Sequence, residues 1–344
     1  MHHITIAGPG GYDRLHHRSV ADLRAGPGQV RVAVRAIGVN FADCMVRQGL
    51  YASAKVYVGW PITPGFEVAG TIDELGEGVQ GWAMGDRVVA LVRFGGYATQ
   101  VLCAPQYLMR PPPGWSDAEA AGFPAVFLTA WYGLHHLAHA RRGEAVLIHS
   151  AAGGVGQALV QLALAAGCRV FGVVGGAHKL AAVQGFGCTA VVDKFATAWK
   201  PAARAFAPEG FAVALDANGV ETLADSYGLL GPGGRLVVYG FHTMFRRGGS
   251  GRRNWPLLAW NWLRTPRFNP LALTTDNKSV LAFNLSFLFE QTAVLAEALG
   301  FLLPLCETGQ VRPLPVTTFA LAEAARAHQA LESGATTGKL VLVA

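Results

Sequence analysis

The sequence lacks three features that define large classes of proteins. No stretch of about 18 uninterrupted apolar residues occurs in the 344-residue chain, so no transmembrane helix is expected. The first residues do not combine a basic region with an apolar one, so no secretory signal peptide is predicted. Cysteine is scarce, and its five residues stand far apart without a C-x-x-C pair, which argues against a zinc ribbon or a redox couple. We therefore expect a cytoplasmic protein with reduced thiols.

Charged side chains are also few. They make up 15% of the chain, whereas hydrophobic residues make up 51%. This composition is typical of a well-buried globular protein, and the length predicts roughly two domains. The net charge of +6 is mild for this length, and it suits an anionic cofactor at least as well as nucleic acid.

The most informative segment is residues 146–162, in which an apolar strand, a glycine turn and an apolar helix follow without a gap. Read as G-x-G-x-x-G, it places Ala151, Gly153 and Gly156 at the three small positions. Small residues there permit a tight turn, close approach to a pyrophosphate, and close packing of helix on strand. A second strand follows about twenty residues later, as this motif requires. The segment is therefore predicted to bind a dinucleotide at the helix N-terminus.

The rest of the chain divides by the period of its hydrophobic pattern. Residues 4–110 read as short alternating strands separated by glycine and proline, which is typical of an all-β, barrel-like unit. Ser116 and Glu119 have the spacing of a capping box, which predicts the start of a helix. From 145 to about 240, strands and helices alternate as in a doubly wound parallel sheet. The predicted domains are 1–124, 125–290 and 291–344, and the last returns to the first.

Several short strings carry a resemblance: Gly38-Val-Asn-Phe-Ala-Asp43, Arg47-Gln-Gly-Leu-Tyr51, Pro64-Gly-Phe-Glu67, Gly85-Asp-Arg-Val88 and Ala151-Ala-Gly-Gly-Val-Gly156. With them, nearly the whole chain resembles the medium-chain dehydrogenase/reductase superfamily. Within it, the chain is similar to the zinc-free quinone oxidoreductase branch, including a vesicle-protein-like subgroup. The resemblance implies an α/β fold with a GroES-like β-barrel substrate domain, a Rossmann doubly wound parallel sheet, a cleft between them, and a homodimer.

No metal site is expected. Zinc-dependent members of this superfamily have a histidine where this chain has Phe66, and a thiolate near Asn40. Phenylalanine offers no donor atom to zinc. His135 and His139, four residues apart, would share one face of a helix, but the glutamate of a zincin motif is missing. We predict solvent-facing or capping roles for these histidines.

The end of the second Rossmann strand favours NADPH over NADH. NAD-selective units place Asp or Glu there to bind the ribose hydroxyls, and residues 173–179 contain neither. Lys179 and Lys194 are predicted to pair with a 2′-phosphate, the alternative for each being an ordinary surface charge. Together with positions that the resemblance implies, the predicted cofactor-binding residues are Asn40, Thr129, Ala152, Gly153, Gly154, Val155, Gly156, Gly175, Lys179, Lys194, Asn218, Gly240 and Phe241.

Tyr51 and Asn40 are the predicted catalytic residues, on the strength of the resemblance. The phenol of Tyr51 would donate a hydrogen bond or a proton to the acceptor oxygen, and Asn40 would lie beside the nicotinamide ribose and the substrate. A purely structural role in the cleft is the alternative for both. The predicted reaction is hydride transfer from NADPH to a quinone or an α,β-unsaturated carbonyl (enone).

Two other functions are compatible with the same residues. One is an enoyl-thioester reductase of lipid or polyketide metabolism. The other is a non-catalytic NADPH-binding protein associated with a membrane or a partner.

Two segments depart from the family's pattern. Residues 52–60 form a longer link than usual, and they are expected to place Tyr57 and Trp60 beside the substrate pocket. Residues 246–268 combine arginine with interleaved tryptophan. For them we expect a mobile loop over the cleft or part of the dimer surface, with peripheral membrane contact as the alternative and no nucleic acid partner. Pro256 and Pro266 argue against a long amphipathic helix there.

Overall fold

The structure is a computed structural model that describes residues 1–188, 190–244 and 250–344. Its strands are β1 (His2–Thr5), β2 (His16–Ser19), β3 (Val30–Val39), β4 (Glu67–Leu75), β5 (Arg87–Leu91), β6 (Gln100–Cys103), β7 (Leu108–Met109), β8 (Ala145–His149), β9 (Arg169–Val174), β10 (Ala190–Asp193), β11 (Phe211–Asp216), β12 (Leu230–Val238), β13 (Ser279–Ala282), β14 (Val316–Ala320) and β15 (Lys339–Val343).

Its helices are α1 (Phe41–Arg47), α2 (Ala52–Tyr57), α3 (Asp117–Ala121), α4 (Pro124–Trp131), α5 (Gly154–Ala165), α6 (Leu180–Gln184), α7 (Trp199–Phe206), α8 (Leu223–Gly228), α9 (Trp255–Arg264), α10 (Pro270–Asp276), α11 (Thr292–Glu307) and α12 (Ala324–Ser333). Arg246 and Arg247, part of the basic run noted above, lie outside the described residues.

A parallel sheet forms the centre of the α/β part of the chain. Its strands lie in the order β10-β9-β8-β11-β12-β13, and every neighbouring pair is parallel. All five residues of β8 are buried, as expected for a central strand covered by helices on both faces. The direction of winding reverses between β8 and β11, and a crevice forms at such a reversal, beyond the carboxyl ends of the strands. The predicted doubly wound Rossmann sheet is confirmed.

The other large sheet is mostly antiparallel and takes in both ends of the chain. Its order is β14-β15-β3-β4-β5-β7, with β6 also paired to β3. Strand β15 runs antiparallel to β3, so that Leu340 lies opposite Val39. The pairing of β15 with β3 therefore shows that the C-terminal segment returns to the sheet of the first unit, as predicted. This is the GroES-like part of the fold, and the α/β part is inserted into it.

Helix α11 belongs with the α/β part in its packing. It contacts α4, and its buried residues Ala298, Leu302 and Cys306 share one apolar core with β8 and α5. The predicted domain boundaries at 124 and 290 stay predictions, and the packing of α11 favours a second boundary after this helix.

Three local expectations were wrong. The unit over residues 4–110 is not all β, because α1 and α2 interrupt it; the carboxylate of Asp43 accepts a hydrogen bond from the Asn40 N–H (2.8 Å) and so caps α1. His135 and His139 do not share a face of an α-helix, because residues 132–137 form a π-helical turn and His139 has a left-handed backbone (φ 47°).

The third correction concerns the tryptophan-rich segment, for which a mobile loop was one of the two expectations and in which a short helix is found. Residues 255–264 form a ten-residue helix. Pro256 lies in its first turn, where no intrahelical hydrogen bond is lost, and the side chain of Asn254 accepts a hydrogen bond from the Leu257 N–H (3.1 Å). None of the helices in the described ranges has the length and apolar character needed to cross a bilayer.

Candidate active site

A cavity of about 750 Å³ lies between the two parts of the molecule. The glycine turn and the carboxyl ends of β8, β9, β11 and β12 line it on one side, and residues of α1 and β15 line it on the other. Every residue predicted for the cofactor or for catalysis lines this one cavity. The sequence-predicted set is therefore brought together in space, although the structure does not test the role of each member.

The turn between β8 and α5 has the shape that a pyrophosphate requires. Gly153 precedes the first turn of α5, whose N–H groups have no intrahelical acceptor, and Gly153, Gly154 and Gly156 all line the cavity. A Cβ on Gly156 would lie 2.2 Å from the carbonyl oxygen of Ser150, so only glycine allows the helix to pack this closely. These residues fit the phosphates of a dinucleotide.

The turn is also joined to the end of the chain's other sheet. The Gly338 N–H donates a hydrogen bond to the Ala152 carbonyl (2.9 Å), just before β15 begins. The floor of the nucleotide site therefore depends on residues far apart in sequence.

Two lysines stand at the cofactor end of the cavity, Lys179 after β9 and Lys194 after β10. Lys179 is only 8% exposed, and its ammonium donates to the carbonyl of Gly334. Lys194 is half-buried and pairs with the carboxylate of Glu221 at 3.4 Å. Both lysines line the cavity. The turn over residues 173–179 contains no Asp or Glu. The two ammonium groups therefore suit a phosphate on the adenosine ribose.

At the opposite end of the cavity, Tyr51 lies among aromatic rings. Its ring packs against those of Phe66 (5.7 Å between centroids) and Phe94 (6.5 Å), and its hydroxyl donates to Asn284 Oδ1 (3.0 Å). Burial raises the pKa of the Tyr51 phenol above its usual value. The phenol therefore keeps its proton throughout the neutral range and can act as a hydrogen-bond donor.

Asn40 is held in one orientation by a buried ion pair. Its Nδ2 donates to Glu67 Oε1 (2.8 Å), while Lys339 Nζ donates to Asn40 Oδ1 (2.6 Å) and to Glu67 Oε1 (2.7 Å). The other carboxylate oxygen of Glu67 accepts from the Ala125 N–H (2.6 Å). Lys339 and Asn40 both line the cavity. The Glu67–Lys339 ion pair therefore fixes the orientation of the Asn40 amide, with Nδ2 toward Glu67 and Oδ1 toward Lys339.

Asp43 also helps to position Asn40, through the backbone of that residue. It is fully buried and accepts hydrogen bonds from the N–H groups of Asn40 (2.8 Å) and Gly65 (2.9 Å). Burial outweighs these bonds and raises the pKa of Asp43 to about 7. Asp43 does not line the cavity, so its effect on the site is to position the backbone of Asn40.

The hydroxyl of Thr129 donates to the Ala125 carbonyl within α4 (2.6 Å). The hydroxyl proton of Thr129 is therefore used within the helix. The hydroxyl oxygen can still accept a hydrogen bond, for example from the N–H of a carboxamide. On the facing loop, Asn218 is buried and accepts a hydrogen bond from Ser150 Oγ (2.8 Å). Gly240 and Phe241 follow the end of β12 beside it.

A buried Ser–His–Asp group lies near this loop but is not a nucleophilic triad. His149 Nε2 and Ser226 Oγ are 2.9 Å apart, but the Ser226 hydroxyl also lies 2.8 Å from Asp216 Oδ2. All three side chains are completely buried and absent from the cavity wall. The other oxygen of Asp216 accepts the N–H groups of residues 218 and 219, so the group shapes the cofactor loop.

Sequence reasoning missed Glu67 and Lys339 as a pair, and Asn284 as the partner of Tyr51. Glu67 stands in one of the family strings and Asn284 lies two residues after β13, but neither position in the sequence reveals its partner. Tyr57 and Trp60 were expected beside the pocket, and neither of them lines the cavity. Tyr57 instead packs outside it, under the guanidinium of Arg93 (4.0 Å).

Comparison with known proteins agrees with this arrangement. Residues 26–113 match the family model described as an alcohol dehydrogenase GroES-like domain, and residues 186–342 match the one described as a zinc-binding dehydrogenase. The human synaptic vesicle membrane protein VAT-1 homolog is 32% identical over 99% of this chain and 86% of its own length. The chain belongs to the medium-chain dehydrogenase/reductase superfamily. Its place is in the zinc-free quinone oxidoreductase branch.

Two solved structures of oxidoreductases are similar to this chain over almost its whole length. Escherichia coli quinone oxidoreductase complexed with NADPH has a TM-score of 0.86 at 26% identity, covering 100% of both chains. The CurK enoyl reductase has a TM-score of 0.83 at 28% identity, covering 99% of this chain and 98% of its own. Phe66, which stands where zinc-dependent members of the superfamily have a histidine, packs against Phe94 with 5.3 Å between the ring centroids. Within residues 1–188, 190–244 and 250–344, no group of three or more His, Cys, Asp or Glu side chains is arranged to hold a metal ion.

Proposed function

We propose that this protein is an NADPH-dependent, zinc-independent reductase whose acceptor is a quinone or an α,β-unsaturated carbonyl. The observation that carries the proposal is the position of the protonated Tyr51 phenol, at the aromatic end of a cavity whose other end is the glycine turn. The NADPH complex of the E. coli relative supports the cofactor, as do Lys179 and Lys194.

Bound NADPH would supply the hydride, and the protein's own residues would do the rest. In such acceptors, charge passes from the carbon that receives hydride to an oxygen, which needs only a hydrogen bond to be stabilised. Tyr51 would give that bond after its hydroxyl, which donates to Asn284 in this structure, turns toward the acceptor. Asn40, held by Lys339 and Glu67, would orient the reacting ring beside it.

Enoyl-thioester reduction is the second candidate. The likeness to the CurK enoyl reductase favours it, and the same donor would serve a thioester carbonyl. A homodimer is also proposed: β13 is the outer strand of the parallel sheet, with β12 as its strand partner among the described residues, which leaves one edge for a second copy. Contact with a membrane surface through residues 246–268 is likewise a proposal.

The test is NADPH oxidation measured against soluble quinones, enones and enoyl thioesters. We expect turnover with one of these classes, and a fall in kcat/KM of about a hundredfold in Tyr51→Phe, in the range of a lost positioned donor. The matched control is Tyr57→Phe, which lies outside the cavity and should leave kcat/KM unchanged.

Two outcomes would count against the proposal. Tight NADPH binding without turnover on any acceptor would favour the non-catalytic alternative. An unchanged kcat/KM in Tyr51→Phe would remove the donor role and leave only positioning of the two reactants.

A further inference from the structure

A short segment between β13 and α11 joins the two parts of the molecule at the Tyr51 end of the cavity. It covers residues 284–290, and two hydroxyl contacts attach it to the substrate domain. The Tyr51 hydroxyl donates to Asn284, and Ser286 Oγ donates to Ser53 Oγ (2.8 Å). The segment therefore lies along the substrate domain directly beside the proposed donor.

Arg93 makes the remaining contacts at the end of this segment. Its guanidinium lies 4.0 Å from the ring centre of Tyr57 and 5.0 Å from that of Phe289. It also pairs with the carboxylate of Glu290 at 2.8 Å. Arg93 and Tyr57 belong to the substrate domain, whereas Phe289 and Glu290 belong to the segment before α11. These contacts therefore cross the cleft between the two parts.

The same side chains form successive layers between the cavity and water. Phe289 lines the cavity and stacks on Tyr107, which lines it too (4.4 Å between ring centroids). Arg93 contacts Phe289 but does not line the cavity, and Tyr57, which also contacts the guanidinium, is 41% exposed. The order from the cavity outward is therefore Phe289, Arg93 and Tyr57. Together with Tyr107, these three residues form the clasp.

The clasp is held by interactions that are easily broken. Contacts between a cation and an aromatic ring are weak near water, and so is an ion pair with Glu290, whose side chain is 77% exposed. Arg93 Nε is buried and has no hydrogen-bond partner among the described residues. A buried donor without a partner destabilises the arrangement that buries it. Only a small free energy therefore favours the closed clasp.

The cavity wall next to the clasp is apolar. Leu91 and Val92, which precede Arg93, line the cavity, and so does Leu288, which precedes Phe289. A phosphate in such surroundings would lose its hydration without gaining a partner. An uncharged acceptor would meet no such penalty.

We propose that Arg93, through the clasp, is a specificity-determining residue that favours small uncharged acceptors over thioesters carried on a pantetheine arm. A free quinone or enone is enclosed when the clasp is closed. The cofactor occupies the glycine-turn end of the cavity, so the arm of an enoyl thioester would have to leave through the clasp and separate Phe289 from its partners. This inference rests on the proposed reductase function, and it selects between the two candidate classes of acceptor.

The first test varies the length of the arm and keeps the reacting group. The acceptors are the crotonyl thioesters of N-acetylcysteamine, pantetheine and coenzyme A, with benzalacetone as an enone that has no arm. In the parent, we expect kcat/KM to fall by about tenfold or more from the shortest arm to the longest, because the longer arm prevents closure. Arg93→Ala should narrow that ratio to about twofold, since an open clasp no longer excludes the arm.

Arg110→Ala is the matched control. The guanidinium of Arg110 lies 5.1 Å from the ring centre of Trp82 and 3.3 Å from a carboxylate oxygen of Asp86. It therefore has the same kinds of partner on the same domain, but it does not line the cavity or contact the clasp. This variant should keep the ratio of the parent. Arg93→Lys, which retains the charge and loses the planar group, should give an intermediate ratio.

A second measurement monitors the clasp without any turnover. Ala298 lines the cavity, and the five native cysteines are buried, so Ala298→Cys places one thiol inside. With NADP⁺ saturating, this thiol is labelled with N-ethylmaleimide or with a maleimide on a polyethylene glycol chain, each rate being divided by that of free cysteine. The long reagent should react about tenfold more slowly than the short one, and adding Arg93→Ala should remove most of that difference.

Two results would overturn the proposal. Equal kcat/KM for the three thioesters in the parent would show that the arm is not excluded. A ratio of rates, in turnover or in labelling, that Arg93→Ala leaves as it is in the parent would show that the clasp is not the barrier. Absence of turnover with every acceptor would instead count against the proposed function, and the labelling rates would then decide the role of the clasp by themselves.

Discussion

Lys179 is a buried cation with a defined neighbour. Its ammonium reaches the Gly334 carbonyl in the loop before β15, and it still lines the cofactor end of the cavity. The backbone contact sets where the charge stands, so a phosphate on the adenosine ribose would meet a cation that is already positioned.

Replacing this cation tests the proposed cofactor preference. We expect Lys179→Ala to raise the Kd for NADPH by about tenfold or more, because a charge-assisted hydrogen bond is lost, and to leave the Kd for NADH nearly unchanged. Fluorescence titration with both nucleotides gives the ratio. Lys200→Ala, which removes an exposed lysine paired with Asp225, should change neither Kd. Equal weakening of both nucleotides would show that Lys179 is structural.

At this scale the sequence was informative about residue types and silent about partners. Tyr51 and Asn40 were identified from short strings around them. Their contacts with Asn284 and Lys339 join positions that are distant along the chain, and no local pattern encodes such pairings. Burial of Lys179 was equally unpredictable, because it depends on where the loop at 334 folds.

The unit formed by β8, the turn and α5 shows how tightly one element can constrain a residue. At Gly156 a Cβ would meet backbone atoms of Ser150 and Ala151, which cannot move without unpacking the helix from the strand. At Gly300, in α11, a Cβ would meet nothing within 4 Å.

These two glycines predict opposite effects of the same substitution. Gly156→Ala should lower the free energy of unfolding by about 1–3 kcal/mol through overpacking and weaken NADPH binding. Gly300→Ala should raise the free energy of unfolding by about 0.5–1 kcal/mol, since alanine is the better helix former. Urea unfolding of both variants measures the difference. Destabilisation of equal size would contradict the steric argument.

Elements with a strong period were predictable, and those governed by tertiary contacts were not. The apolar run of β8 and the pattern of α5 reveal their type directly. Helix α9 was unexpected because its apolar residues point outward, so the usual stripe gives no signal and Pro256 argues against a helix until its first-turn position is known. Residues 132–137 form a π-helical turn. This single turn is too short to show a hydrophobic period that would distinguish it from an α-helix.

For the whole molecule, the pair Glu67–Lys339 connects the first half of the chain to β15. Both side chains are almost completely buried, and Lys339 Nζ lies 2.7 Å from Glu67 Oε1. Removing one partner of such a pair leaves an uncompensated charge in the interior, which costs more than the pair itself contributes.

Lys339→Met should therefore lower the free energy of unfolding by about 3–5 kcal/mol. The double variant Glu67→Gln with Lys339→Met should recover part of that loss, because no buried charge is left unpaired. Chemical unfolding of the two variants gives the comparison. A single variant as stable as the parent would mean that water reaches Glu67.

The hydrogen bond from Gly338 to Ala152 also bears on biosynthesis. Parts of a chain that emerge first from the ribosome generally fold first. The parallel sheet of residues 145–282 can assemble early, but the floor of the nucleotide turn waits for the loop at 334–338. Cofactor capture is then a late step of maturation, and a nascent chain halted before that loop would carry a Rossmann sheet with an unfinished binding site.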